Sequence, residues 1–213
     1  MAIRPVFLEY GDEVIEIPIN FKWYGGFSTM QKIRCIESLH EAFIREYGVE
    51  DILEVSSASN TEDGKKYSAY YRLVGKTQVE RIYQGSKVFE DGRQFPEIIT
   101  SYYIGNPKQY LRDRNTGRVK GFNYNGMYTD VSNIVEFYNW IYALSVKGKP
   151  EAIETLSKYS AFTDYFYNPE NGVNCQARSC ALINILVRKG VFDEVTSDFN
   201  LFVEYTKGMY TKI

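Results

Sequence analysis

The sequence predicts an α+β fold: a mainly helical single domain over residues 1–213, with short strands and hairpins. Three observations carry this. Apolar residues recur at helical spacing in several segments, most clearly between Ser28 and Tyr47. Short alternating runs close on tight-turn pairs, Gly11-Asp12 and Asn125-Gly126. Helices and strands intermix irregularly, which argues against a doubly wound parallel sheet. The 213 residues are ample for a core, and no Pro/Gly/Ser linker or internal repeat divides them.

Taken in order, residues 3–9 and 13–19 alternate apolar and polar around Gly11-Asp12 and read as a hairpin. Trp23-Tyr-Gly-Gly-Phe-Ser28 follows as a glycine-kinked aromatic loop. Ser28 suits an N-cap, and Ile33, Ile36, Leu39, Phe43 and Tyr47 form one apolar face before Gly48 stops the helix. Two strand-like runs, 51–57 and 67–74, flank a polar turn at 60–66. Residues 78–90 read as a second amphipathic helix, 97–104 fit strand or helix, and the charged stretch 107–120 reads as exposed loop. Phe122 to Tyr128 reads as a hairpin whose Asn125-Gly126 turn accepts positive φ. Helices follow at 133–147 and from Pro150. Asn174 is placed to cap a nearly apolar, central helix at 175–189, which ends on Arg188-Lys189-Gly190. A last helix covers 198–206.

Composition narrows the chemistry. Lys plus Arg is 25 and Asp plus Glu is 27, a net charge of −2. No basic excess exists to hold a long nucleic acid by phosphate contacts alone, so any such substrate has to be gripped locally. Aromatic content is 16%, with 19 Tyr, which suits a half-buried core or stacking surfaces. Cys35, Cys175 and Cys180 form no CxxC pair, which speaks against a disulfide framework or a structural zinc site. His40 is the sole histidine; it excludes a His-based metal cluster and reads as a structural or surface imidazole. No phosphate-binding glycine loop, signal-like opening or membrane-spanning apolar run is present. A soluble cytoplasmic protein is expected, without membrane contact, metal or other cofactor. Its chemistry then falls to carboxylate, lysine and amide groups.

Three constellations supply such groups. On helix 78–90, Glu80, Gln84 and Lys87 fall at i, i+4 and i+7, a stripe about 10 Å long opposite Val79, Ile82 and Phe89. A solvated charged face accounts for this spacing; so does a pocket wall with a proton-transfer carboxylate beside an amine nucleophile. Gly85 and Ser86 weaken the helix there, as close approach of another backbone warrants. In segment 164–178, Asp164, Asn168, Asn174 and Gln176 crowd a loop feeding a buried helix, whose N-terminus favours anions such as a diphosphate. An Asn/Pro/Gly turn accounts for it equally. Trp23, Tyr24, Phe27 and Ser28 suit stacking on a base or flanking a ribose, or simply staple the following helix.

Val79-Glu-Arg-Ile-Tyr-Gln-Gly-Ser-Lys-Val-Phe89 resembles the core motif of the NADAR family, in which a Glu starts a helix and a Gln and a Lys follow. Tyr24-Gly-Gly-Phe-Ser28 is similar to that family's N-terminal motif, with Thr29 where Asn is usual. Arg4-Pro-Val-Phe7, Ser38-Leu-His40, Leu53-Glu-Val-Ser-Ser57, Phe137-Tyr-x-Trp140, Ala161-Phe-Thr-Asp164 and Asn168-Pro…Asn174-Cys-Gln-Ala177 resemble the subgroup that accompanies DarT-type DNA ADP-ribosyltransferase toxins. The resemblance runs in order over nearly the whole chain.

It implies an ADP-ribosylguanine glycohydrolase acting as an antitoxin or counter-defence partner of a DarT-type toxin. Its substrate would be the ADP-ribose that a DarT-type toxin places on the guanine amino group in single-stranded DNA. By motif position it implies catalytic roles for Glu80 and Lys87, and Asp164 is a further carry-over. Substrate binding is expected of Trp23, Tyr24, Phe27, Ser28, Gln84, Asp164, Asn168, Asn174 and Gln176, with one pocket uniting Glu80, Gln84, Lys87 and both loops. Two other functions stay open: a non-catalytic module binding ADP-ribose or toxin, and an N-glycosidase of free nucleotides like the family's riboflavin-pathway branch. Two mechanisms stay open as well. Lys87 attacks a ring-opened imine, or Glu80 activates water directly while Lys87 only binds.

Overall fold

A computed structural model describes residues 1–101, 103–170 and 172–213. Tyr102, within the 97–104 segment, and Asn171, within the 164–178 loop, lie outside the described residues. Strands β1 (Ala2–Tyr10) and β2 (Glu13–Phe21) pair antiparallel through all nine positions, as the alternation predicts. Helix α1 (Thr29–Tyr47) starts where Ser28 Oγ accepts the Gln31 N–H at 3.3 Å, and stops at Gly48. Next come β3 (Ile52–Glu54), α2 (Glu62–Lys66), β4 (Leu73–Val74), β5 (Thr77–Gln78) and α3 (Val79–Gly85). Then follow β6 (Lys87–Phe89), α4 (Glu97–Thr100), α5 (Pro107–Arg112), β7 (Val119–Tyr124) and β8 (Met127–Asp130). The rest is α6 (Ile134–Leu144), α7 (Pro150–Leu156), β9 (Ala161–Thr163), α8 (Gln176–Arg188), α9 (Phe192–Val195), α10 (Phe199–Thr206) and β10 (Tyr210–Lys212). The expected α+β class, mainly helical, is what is seen.

The main sheet has the order β10-β2-β1-β9-β3. Successive side chains of a strand point to opposite faces, and here both faces are covered. Val6, Ile17, Ile19, Phe21 and Ala161 pack with Cys35, Leu39 and Phe43 of α1. Phe7, Val14, Leu53 and Phe162 pack on the other side, in the larger cluster containing α8 and α6. Eleven of the thirteen α8 residues are buried, which is why its sequence is apolar nearly all round. A second sheet, β6-β7-β8, carries the hairpin at Asn125 (φ 50°) and Gly126 (φ 82°).

Several elements differ from expectation. The helix expected over 78–90 ends at Gly85, and Lys87 to Phe89 leave it to pair with β7. Gly85 sits where α4 packs close: a Cβ there would sit 2.6 Å from Ile99 Cγ1 and 3.2 Å from the Ile99 backbone nitrogen. That is the close backbone approach its small size suggested. The 60–66 turn contains α2, capped by Thr61, whose hydroxyl accepts the Gly64 N–H at 3.0 Å. The flanking strands shrink to Ile52–Glu54 and Leu73–Val74. The 107–120 stretch is exposed turn and loop only over 113–118. Asn106 caps α5 with Pro107 at its start, Leu111 is buried, and Val119 already belongs to β7. Asn174 does not cap α8: Cys175 holds that position and supplies no side-chain bond.

Candidate functional site

The walls of one cavity, about 980 Å³, are supplied by α3, α5, the turn before β4, α6 and the loop from β9 to α8. Such a volume is at the upper end for small-molecule sites. Glu80 enters it from the first turn of α3 and is 7% exposed. Its Oε1 accepts the Gln84 Nε2–H bond at 3.0 Å and is ion-paired with Lys108 Nζ at 3.2 Å. Its Oε2 has no hydrogen-bond partner among the described residues, so one carboxylate oxygen remains for a ligand. Gln84 thus holds Glu80 across one helical turn, as the i, i+4 spacing allows.

Lys87 is placed differently from the expected stripe. It leads β6, lies outside the cavity lining, and its Nζ stands 5.0 Å from the centroid of the Tyr83 ring, which does line the cavity. Burial pulls its ammonium from the ordinary 10.5 down to about 8, and Lys108 adds to the shift while Glu80 opposes it. Lys108 behaves oppositely. Burial pulls it down, but the negative fields of Glu80, Tyr70 and Asp164 outweigh that and raise it. Two lysines near one carboxylate are therefore held apart in protonation, Lys108 as the cation and Lys87 as the amine closer to neutrality.

Asp164 follows β9 directly and lines the cavity. Burial, reinforced by Glu54 behind it, pushes its carboxyl up to about 8, against a 3.0 Å hydrogen bond donated by the Phe166 N–H. Glu54 is buried at the end of β3 and accepts from Thr163 Oγ1 at 2.7 Å and the Tyr165 N–H at 2.8 Å. Thr163 also meets His40 Nε2 at 2.8 Å. His40 is thus structural, and burial lowers it to about 4, so it is neutral at physiological pH. This chain of polar contacts fixes the backbone that presents Asp164.

Asn168, Asn174 and Gln176 also line the cavity. Gln176 Oε1 accepts the Ala69 N–H at 2.6 Å and ties α8 to the turn before β4. Asn174 donates through Nδ2 to Tyr83 Oη, which orients the ring under Lys87, while its buried Oδ1 has no donor among the described residues. Trp23, Tyr24, Phe27 and Ser28 do not line the cavity. Trp23 instead stacks on Tyr165 at 5.6 Å and 10°, one residue from the cavity-lining Phe166. The structure therefore unites Glu80, Gln84, Asp164, Asn168, Asn174 and Gln176, sets Lys87 one side chain away, and leaves the aromatic loop outside.

Lys108, Tyr70, Tyr83 and Tyr138 are cavity residues that sequence reasoning missed. For Lys108 a signal existed: Asn106-Pro107 is a cap followed by proline, a helix start within the charged stretch. Among the described residues, no group of three or more His, Cys, Asp or Glu is arranged to hold a metal ion, and no helix is long and apolar enough to cross a membrane. No curated protein matches the sequence. A family described as the DarT1-associated NADAR antitoxin matches residues 2–212, and with all but the two end residues covered the chain belongs to that family.

Proposed function

We propose that the protein hydrolyses the bond between ADP-ribose and the guanine amino group in single-stranded DNA, and so reverses the modification made by a DarT-type toxin. The observation that carries this reading is Glu80. It is a buried carboxylate in a cavity large enough for a nucleotide, fixed through one oxygen by Gln84 and Lys108 and open at the other.

The scissile C1–N bond belongs to a glycosylamine. A proton delivered to the ribose ring oxygen, with push from nitrogen, opens the ring and leaves an iminium at C1. Glu80 is the shuttle for that proton. Asp164, a neutral acid below about pH 8, is a hydrogen-bond donor and a second proton source in the same cavity. Lys87 in its neutral form adds to C1, and the guanine amine leaves with a proton. Water then hydrolyses the Lys87 Schiff base, ADP-ribose recloses and the amine is restored. With a pKa of about 8, roughly a tenth of Lys87 is neutral at pH 7. Lys108, kept protonated, supplies positive charge for the diphosphate, alongside the amides of Asn168 and Asn174.

The test is release of ADP-ribose from a single-stranded oligonucleotide carrying one ADP-ribosylguanine. Wild-type protein should return unmodified oligonucleotide. Glu80→Gln should be ~10²–10⁴-fold slower while still binding. Protection of the modified strand without any release by wild type would mark a binding module instead.

A further inference from the structure

The aromatic loop that the cavity leaves out has a surface of its own. Phe27 is 97% exposed and Phe166 54% exposed. Large exposed apolar groups of this kind mark interaction surfaces when they cluster. Phe166, Tyr165 and Trp23 form a band continuous with the cavity, and Phe27 follows Trp23 four residues on in the same loop. Phe166 lines the cavity, packs edge-on against Tyr165 at 5.2 Å, and Tyr165 stacks flat on Trp23 at 5.6 Å. Cations accompany the rings. Lys32 lies 5.4 Å from the Phe166 centroid, Arg4 5.6 Å from Trp23, and Lys22 5.0 Å from Tyr24. None of these three has an acidic partner among the described residues. The net charge of −2 conceals this local bias: from Glu16 to Glu37 the chain contains no other acid, but it carries Lys22, Lys32 and Arg34.

Exposed ring faces interleaved with unpaired cations are the chemistry that holds unpaired bases and their phosphates. A duplex offers no base faces to stack on the rings, while the unpaired cations beside them complement the phosphates of a single strand. We propose that this band is the track for a single DNA strand leading to the cavity, with bases stacking on Phe27 and Phe166 and phosphates meeting Lys22, Lys32 and Arg4. The proposal deepens the reading of the cavity and rests on it for the modified base; the track itself is tested separately.

The probes are an unmodified single-stranded ten-nucleotide oligomer, the same oligomer with one ADP-ribosylguanine, and free ADP-ribosylguanosine. Phe27→Ala and the double variant Lys22→Ala/Lys32→Ala alter residues outside the cavity, with Phe27 and Lys22 exposed and Lys32 half-buried, and circular dichroism checks that they fold. Wild type should bind the unmodified oligomer at low salt by fluorescence anisotropy. Phe27→Ala should weaken that binding roughly tenfold. The double variant should lower the slope of log K against log salt by about 1.4, near 0.7 per lost phosphate contact. On the modified oligomer both variants should raise KM with kcat unchanged, and turnover of the free nucleoside should stay at the wild-type level. Equal oligomer binding by wild type and both variants, or no binding by wild type at low salt, overturns the track whether or not the cavity hydrolyses its substrate. Loss of oligomer binding in the variants, with no hydrolysis of either modified substrate by wild type, keeps the track and overturns the glycohydrolase reading.

Discussion

Replacing Lys87 by methionine should make the protein more stable and inactive at once. Methionine keeps the length and apolar stem of lysine and removes the ammonium. The fold moves the Lys87 pKa from 10.5 to about 8, which corresponds to about 3 kcal/mol by which folding disfavours the charged form. The contact of the ammonium with the Tyr83 ring, of the kind worth about 0.5–1 kcal/mol, is lost in the variant and offsets part of this. A net gain of about 2 kcal/mol remains at pH 7, or roughly 4–8 °C in Tm for a chain of this size. The sign follows from proton linkage. Between pH 8 and 10.5 the unfolded chain holds the Lys87 proton and the folded chain does not, so wild-type stability gains on the variant as pH rises through that window. The advantage of Lys87→Met should therefore be full below pH 8 and gone near pH 10.5. Thermal unfolding of both proteins by circular dichroism from pH 6.5 to 10.5 measures it. A variant less stable than wild type at pH 7, by an amount that does not change with pH, would refute the reasoning and make Lys87 an ordinary structural cation.

Three further outcomes are expected. Asp164→Asn should melt above wild type near pH 7 and coincide with it near pH 4, because the folded carboxyl keeps its proton to about pH 8 while the unfolded one ionises near 3.8; melts across that range test it. Gly85→Val should lower stability by at least about 1–3 kcal/mol, since a Cβ alone would already meet Ile99 Cγ1 at 2.6 Å, and denaturant unfolding reads the loss. Lys108→Ala removes the cation beside Glu80 and one that depresses Lys87, so the pH midpoint of Lys87 reactivity, followed by reductive trapping, should move upward.

Much of this architecture is legible in the sequence where one residue suffices to fix geometry. Ser28 and Gly48 bracket α1, Asn125-Gly126 closes a hairpin, and the even apolar character of 175–189 marks a helix buried on all sides. What stayed hidden depends on partners distant in sequence. Strands β3, β9 and β10 have three residues each and are strands only because β9, β1 and β2 respectively lie beside them. The end of the helix at Gly85 is a tertiary event, since Lys87 to Phe89 leave it to pair with β7, and it converts the Glu80–Gln84–Lys87 stripe into a helix residue pair and a strand lysine. Periodicity found the acid and the amine but not the backbone that separates them. Nor could it find Lys108, which meets Glu80 only because α5 docks on α3. The sequence reads Trp23 to Ser28 as one aromatic loop, yet only the packing of Trp23 on Tyr165 shows that the loop borders the cavity rather than lining it.

The most direct test is the mass spectrum of a reaction quenched with borohydride. Wild-type protein is mixed with a single-stranded oligonucleotide bearing one ADP-ribosylguanine, and reductant is added during turnover. Two mass changes are expected together. The oligonucleotide loses ADP-ribose, and a fraction of the protein gains it as a reduced adduct at Lys87, absent from Lys87→Ala and from Glu80→Gln. An oligonucleotide that keeps its ADP-ribose after prolonged incubation with wild type contradicts the proposed function. An oligonucleotide restored by wild type with no adduct, and restored equally well by Lys87→Arg, contradicts the covalent route and leaves Glu80 activating water.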